Sequence, residues 1–210
     1  GVNPPVRVFS ASIETFLELK GRPRKGPDGR EEPSLRLACI DVGGGTTDLK
    51  AGAVFATLYL APSNYHRIHM PVAGRLVSMR YEPGRLFSVN ETTARHVSGL
   101  FSGNERVACI FETAQGPLAM VLVGALNVGN IETVWAGQVA PDRWRGTHVT
   151  DYPGEGESVV FLERGEEMGR FNMGSTVILL FARDRVHWSQ ALQPGDYLRM
   201  GQRIGALNRA

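Results

Sequence analysis

The sequence predicts a mainly β fold, a barrel-like or sandwich domain with few short helices. Two observations carry that prediction. Twenty-five glycines and twelve prolines in 210 residues cut the chain into many short apolar runs, which is strand-and-turn punctuation. Val177-Ile178-Leu179-Leu180-Phe181, entered from Gly174-Ser175-Thr176, is apolar without alternation, as in a strand buried on both faces.

Residues 1–51 read differently from the rest. Ser12 to Leu19 fits a short amphipathic helix or equally a strand. Gly21 to Pro33 is a charged, Pro/Gly-rich linker with nothing to build a core. Leu37-Ala38-Cys39-Ile40-Asp41-Val42-Gly43-Gly44-Gly45-Thr46-Thr47-Asp48-Leu49 follows. It resembles the second phosphate-binding loop of actin-like and Hsp70-like ATPases, in which glycine amides wrap phosphate oxygens. Such an ATPase needs two large lobes, and too little chain precedes the loop to supply one. The stretch is therefore read as a glycine hairpin within a partly disordered N-terminal appendage of foreign character.

From residue 52 to 210 the chain reads as one β domain. Phe55 to Leu60 alternates and is turned by Ala61-Pro62-Ser63-Asn64. Gly74 to Tyr81 alternates again, turned by Glu82-Pro83-Gly84. Glu91 to Leu100 fits a short helix. Arg106 to Glu112 and Leu118 to Val123 predict a hairpin across Gln115-Gly116-Pro117, and Val128 to Ala136 another strand. Arg143 to Glu157, with Trp144, has no periodicity and reads as a surface loop. Gly165 to Gly169 reads as a turn, and Gly195 to Ile204 as a glycine-spaced hairpin.

Bulk properties narrow the function classes. A net charge of +2 and a pI near 8.7 permit contact with an anionic membrane surface but fall short of a nucleic-acid signature. Cys39 and Cys109 have neither metal-type spacing nor a disulfide framework, which suits a reducing compartment. No segment approaches the roughly 20 apolar residues of a membrane-spanning helix, and no signal peptide is expected.

Two clusters carry chemistry. Gly174 lacks a Cβ, so its backbone accepts strain and its carbonyl can be approached closely. The Ser175 hydroxyl can then attack that carbonyl and move the peptide bond from nitrogen to oxygen. Elimination from the ester would leave dehydroalanine, and hydrolysis a pyruvoyl cap. Alternatively, Gly-Ser-Thr is only a turn before a core strand. His66-Arg67-Ile68-His69 is the second cluster. In an extended segment its histidines fall on opposite faces, which favours separate tasks. They also fit half of a zinc site, which would need further ligands, or two structural histidines.

Met168-Gly169-Arg170-Phe171-Asn172-Met173-Gly174-Ser175-Thr176 resembles the self-cleavage segment of the phosphatidylserine decarboxylases, a pyruvoyl-dependent family. Tyr65-His66-Arg67-Ile68-His69-Met70-Pro71, Leu86-Phe87-Ser88-Val89-Asn90 and Asn104-Glu105-Arg106 resemble further motifs of that family, in its order and at about its spacing. The resemblance covers roughly residues 52–205.

The resemblance implies a carboxy-lyase that converts phosphatidylserine to phosphatidylethanolamine and carbon dioxide after cleavage between Gly174 and Ser175. The cofactor is then a pyruvoyl group derived from Ser175, an electron sink for the breaking C–C bond. His69 is implied as the base that primes Ser175, and His66 as the acid–base group of decarboxylation. No metal and no nucleic acid are expected. The expected partners are a phospholipid at the cytoplasmic side of the cell membrane, met peripherally, and the chain's own cleaved fragment. The family also carries an upstream Val-Asp-Gly stretch whose aspartate orients the base, and no such stretch occurs here. Asp41-Val42-Gly43 shares letters with it but neither context nor distance. Slow maturation, with most of the chain left whole, is therefore expected. Two other functions fit the residues: an uncleaved, inactive binding module, and a metal-dependent hydrolase using His66 and His69.

Overall fold

A computed structural model of the chain describes residues 6–9, 53–89, 93, 96–97, 99–126, 131–139, 146–172, 176–182, 184–193 and 196–208. In chain order its strands are β1 (Val6–Phe9), β2 (Ala53–Tyr59), β3 (Arg67–His69), β4 (Gly74–Glu82), β5 (Arg106–Thr113), β6 (Gly116–Val123), β7 (Ile131–Thr133) and β8 (Gly137–Val139). They continue with β9 (His148–Asp151), β10 (Phe161–Leu162), β11 (Glu167–Phe171), β12 (Thr176–Ala182), β13 (Val186–Trp188), β14 (Tyr197–Leu198) and β15 (Gly205–Leu207). A single turn of helix, α1, spans Leu100–Gly103.

The apolar run that predicted a doubly buried strand is one. β12 lies inside the large sheet, antiparallel to β6 on one edge and β2 on the other, and Thr176 through Phe181 are all buried. Each such aliphatic or aromatic side chain contributes about 1.5–3 kcal/mol on leaving water. The sheet runs β10-β4-β5-β6-β12-β2-β1-β14, with β9 also on β4. A second sheet runs β3-β11-β7-β8, and β13 pairs with β15. Leu76, Phe111 and Leu118 of the large sheet share one core with Ile131 and Met168 of the second. Phe111 meets Trp135 edge-on at 6.0 Å, and Trp135 meets Tyr152 at 6.4 Å. Neither sheet closes on itself among the described residues, so the fold is mainly β and sandwich-like rather than a barrel.

Most expected strands are present, with shifted bounds. The β5–β6 turn falls on Ala114-Gln115, ahead of Gln115-Gly116-Pro117. Thr113 already pairs with Gly116, whose positive φ of 98° suits glycine. Residues 148–151, expected in a loop, form β9 against β4. All four are exposed, so no burial period marks them. Gly165–Gly169 is a turn only at Arg164-Gly165 and is strand from Glu167. Gly195–Ile204 is not a hairpin: β14 pairs with β1, and the next strand, β15, pairs with β13. In the described part of Val128–Ala136, residues 131–136, Ile131–Thr133 is strand and a turn follows. The Ser12–Leu19 element, the linker and the glycine hairpin lie outside the described residues, as does much of Glu91–Leu100.

Candidate active site

The histidine motif and the cleavage segment are distant in sequence and adjacent in space. β3 carries the first, β11 leads into the second, and the two pair antiparallel with Arg67 opposite Arg170 and His69 opposite Glu167. The Phe171 amide donates to the His66 carbonyl at 3.1 Å. β11 also pairs with β7 on its other edge. Gly169 makes that approach possible, because a Cβ there would lie 2.3 Å from the Glu132 carbonyl oxygen. Gly174 and Ser175 lie outside the described residues, and so does Asn90 of the Leu86–Asn90 motif. Asn172 at the end of β11 and Thr176 at the start of β12 bracket the cleavage position.

Both flanks are anchored. Glu132 of β7 pairs with Arg170 and accepts from Asn172 Nδ2 at 3.0 Å. The Asn172 amide, and then Arg170, hold the Glu132 carboxyl below its ordinary value. On the other side Thr176 stands opposite Tyr59 and Val123. Its hydroxyl is fully buried and has no hydrogen-bond partner among the described residues.

The two histidines have different surroundings. His66 Nε2 is buried without a partner among the described residues. Burial lowers the pKa of this ring, and a hydrogen bond with the Asn64 backbone partly offsets that. His66 is therefore a neutral imidazole near neutral pH, with a nitrogen free to hold or pass a proton. His69 has both nitrogens engaged. Nδ1 lies 2.8 Å from the Gly165 carbonyl oxygen, and Nε2 lies 2.9 Å from the Tyr65 hydroxyl. With no nitrogen left over, His69 is poorly suited to bind a metal. Among the described residues no group of three or more His, Cys, Asp and Glu could hold one.

Beside His66 opens a pocket of about 400 Å³, lined by Ser63, Asn64, Tyr65, His66, Arg67, Arg170 and Phe171. Both arginines are already paired, Arg67 with Glu167 at 2.7 Å and Arg170 with Glu132.

The motif Asn104-Glu105-Arg106 makes a third contribution, whose nature the sequence did not show. Asn104 is completely buried. Its Oδ1 accepts from the Phe87 amide at 3.0 Å, and its Nδ2 donates to the carbonyls of Phe87 and Gly124, both at 2.9 Å. The Gly124 amide donates to the Glu105 carbonyl at 2.8 Å. The Leu86–Val89 and Asn104–Arg106 segments are thereby tied to the end of β6, whose Val123 faces Thr176. The available signal was an amide side chain directly before a strand otherwise rich in apolar residues.

An open β fold that bonds a His-x-x-His strand to the strand leading into Gly-Ser-Thr fits the class of serine-bearing proenzymes. Within it the family model for phosphatidylserine decarboxylase matches residues 30–206, and the chain belongs to that family. It is 51% identical over 183 residues to the phosphatidylserine decarboxylase proenzyme of Shewanella loihica, covering 86% of this chain and 63% of that one. To the proenzyme of Nitrosococcus oceani it is 57% identical over 156 residues, covering 74% and 50%. To that of Shewanella denitrificans it is 55% identical over 157 residues, covering 74% and 54%. The chain thus spans between half and two thirds of the length of these curated relatives. Among the described residues no helix is long and apolar enough to cross a membrane.

Proposed function

We propose that this chain cuts itself between Gly174 and Ser175 and then decarboxylates phosphatidylserine to phosphatidylethanolamine. The observation that carries the reading is the hydrogen bond from Phe171 to His66, which joins the histidine strand to the segment containing Ser175. Family membership supports the same chemistry. In the first stage Ser175 Oγ attacks the Gly174 carbonyl carbon as His69 takes the hydroxyl proton, and the C–N bond breaks to give an ester and a free amine. Loss of the Ser175 α-proton expels the Gly174 carboxylate. Water then converts the remaining dehydroalanine to a ketone, with release of ammonia.

The residues present fit a pyruvoyl group at this position, because two buried polar atoms, Thr176 Oγ1 and His66 Nε2, lack partners among the described residues. When formed, that group supplies a carbonyl that draws off the electrons of the breaking C–C bond. His66 Nε2 takes up a proton from the substrate ammonium group and passes it to the substrate carbon that loses carbon dioxide, the ring returning to its neutral form. Burial of the ring, which keeps Nε2 away from bulk water, favours delivery to that carbon over exchange with solvent.

The catalytic domain on this reading is residues 52–210, with 1–51 as an appendage. The mature protein is two chains held together, working peripherally on phospholipid at the cytoplasmic face of the cell membrane. Intact-mass measurement is the test. Fragments 1–174 and 175–210 are expected, the second blocked to Edman chemistry and labelled by borohydride in the presence of an amine. Ser175→Ala should remain whole. A small fragment that begins with a free serine would sink the pyruvoyl reading. An uncut wild-type chain that binds phosphatidylserine vesicles would favour the binding module instead.

A further inference from the structure

His69 does not line the pocket, whereas Tyr65 does. The Tyr65 hydroxyl sits 2.9 Å from His69 Nε2, and the two rings stack at 5.7 Å with planes 19° apart. On the far side of the imidazole the Gly165 carbonyl is 2.8 Å from Nδ1.

These contacts fix the direction of every proton. A carbonyl oxygen can only accept, so Nδ1 carries the hydrogen. The neutral ring then presents a lone pair at Nε2, and the Tyr65 hydroxyl donates to it. The carbonyl is itself held in place. Gly165 adopts a positive φ of 87°, and its amide donates to the Met70 carbonyl at 2.9 Å. The chain of bonds runs from the Gly165 carbonyl through His69 to the hydroxyl of Tyr65, a residue that lines the pocket.

We propose that Tyr65 is the relay through which His69 takes its proton from the pocket, with the Gly165 carbonyl orienting the base in place of a carboxylate. This rests on His69 being the base of self-cleavage. As a hydroxyl in the pocket, Ser175's on that reading, gives its proton to Tyr65 Oη, the phenolic proton passes to His69 Nε2. Tyr65 ends unchanged and the imidazole becomes imidazolium, its Nδ1–H still on Gly165. A neutral carbonyl orients the ring as a carboxylate would but does little to stabilise the imidazolium charge, so this relay is slow.

The experiment follows cleavage by intact mass in hydroxylamine, which intercepts the ester, for the wild-type chain, Tyr65→Phe and His69→Ala. ¹⁵N spectra of the histidine rings are recorded for the wild type and Tyr65→Phe. Phenylalanine keeps the stacked ring and removes only the hydroxyl. Tyr65→Phe should cut at least about 10²-fold more slowly, the low side of a general acid–base contribution. Its His69 Nε2 resonance should also shift towards that of an unbonded lone pair while the Nδ1–H signal stays, a change that a merely structural role would not produce. If Tyr65→Phe cuts as fast as wild type or faster while His69→Ala stays whole, the relay is wrong and His69 remains the base. An unshifted Nε2 resonance overturns the relay as well. If His69→Ala cuts at the wild-type rate, His69 is not the base and the relay falls with it. A wild-type chain that stays whole in hydroxylamine overturns self-cleavage and the relay together.

Discussion

At the scale of single residues, His66 and Asn104 make opposite demands. The folded pKa of His66 lies below its ordinary value of 6.5 because the ring is partly desolvated. The sign follows directly: the unfolded chain binds the proton more readily, so the contribution to stability is complete above about pH 6.5 and fades as pH falls through the folded value. Urea midpoints measured between about pH 7 and about pH 5 should decline more steeply for wild type than for His66→Gln. Equal slopes would mean that the ring is not desolvated. In catalysis His66→Ala should still cut but lose about 10²–10⁴-fold in decarboxylation. Asn104 is different, because its amide must present one acceptor and two donors. Asn104→Ala should cost about 1–3 kcal/mol in unsatisfied buried groups. Asn104→Asp should cost more, since a carboxylate would face the Phe87 and Gly124 carbonyls. Chemical denaturation of both variants decides the order. The sequence made the histidines legible, since His-x-x-His forces opposite faces on an extended chain. It placed Asn104 in a motif but not its role, since its three bonds go to segments that meet it only in the fold.

At the scale of elements, what could be read depended on burial. β12 was legible because both of its faces are apolar. β4 was legible because its burial alternates, apart from the irregularity between Leu76 and Ser78. β9 was not, since an exposed edge strand needs no apolar period, and the Gly195–Ile204 stretch suggests a local hairpin where β14 instead pairs with β1, because pairing across the sheet leaves no local trace. β11 had been read as a turn on the strength of Gly165 and Gly169. Only the first of these glycines turns the chain; the second lets β11 and β7 approach. Gly169→Ala is therefore expected to cost about 1–3 kcal/mol by overpacking against Glu132. It should also slow self-cleavage, because β11 carries Phe171 and Asn172. A variant as stable as wild type that also cuts normally would show that β11 is not held by this contact.

At the scale of the whole molecule, the cut would fall between two strands of different sheets, with β12 to β15 on the short fragment. β12 is bonded along both edges to strands of the long fragment, and β14 is bonded to β1. The pieces therefore stay together when the peptide bond is lost, so a native particle should keep its size while a denaturing gel separates two bands. The missing part of the site was illegible at this scale too, since the resemblance located Ser175 but could not say what would stand beside its base. The cut also changes the molecularity of folding. Before it, β12 finds its slot between β6 and β2 as part of one chain, at a rate independent of protein concentration. After it, an unfolded molecule is two independent solutes that must collide, so renaturation becomes second order and fails on dilution. Ser175→Ala should refold equally well at any concentration, whereas the matured protein recovers only when concentrated; maturation would leave a molecule easily kept folded and hard to rebuild.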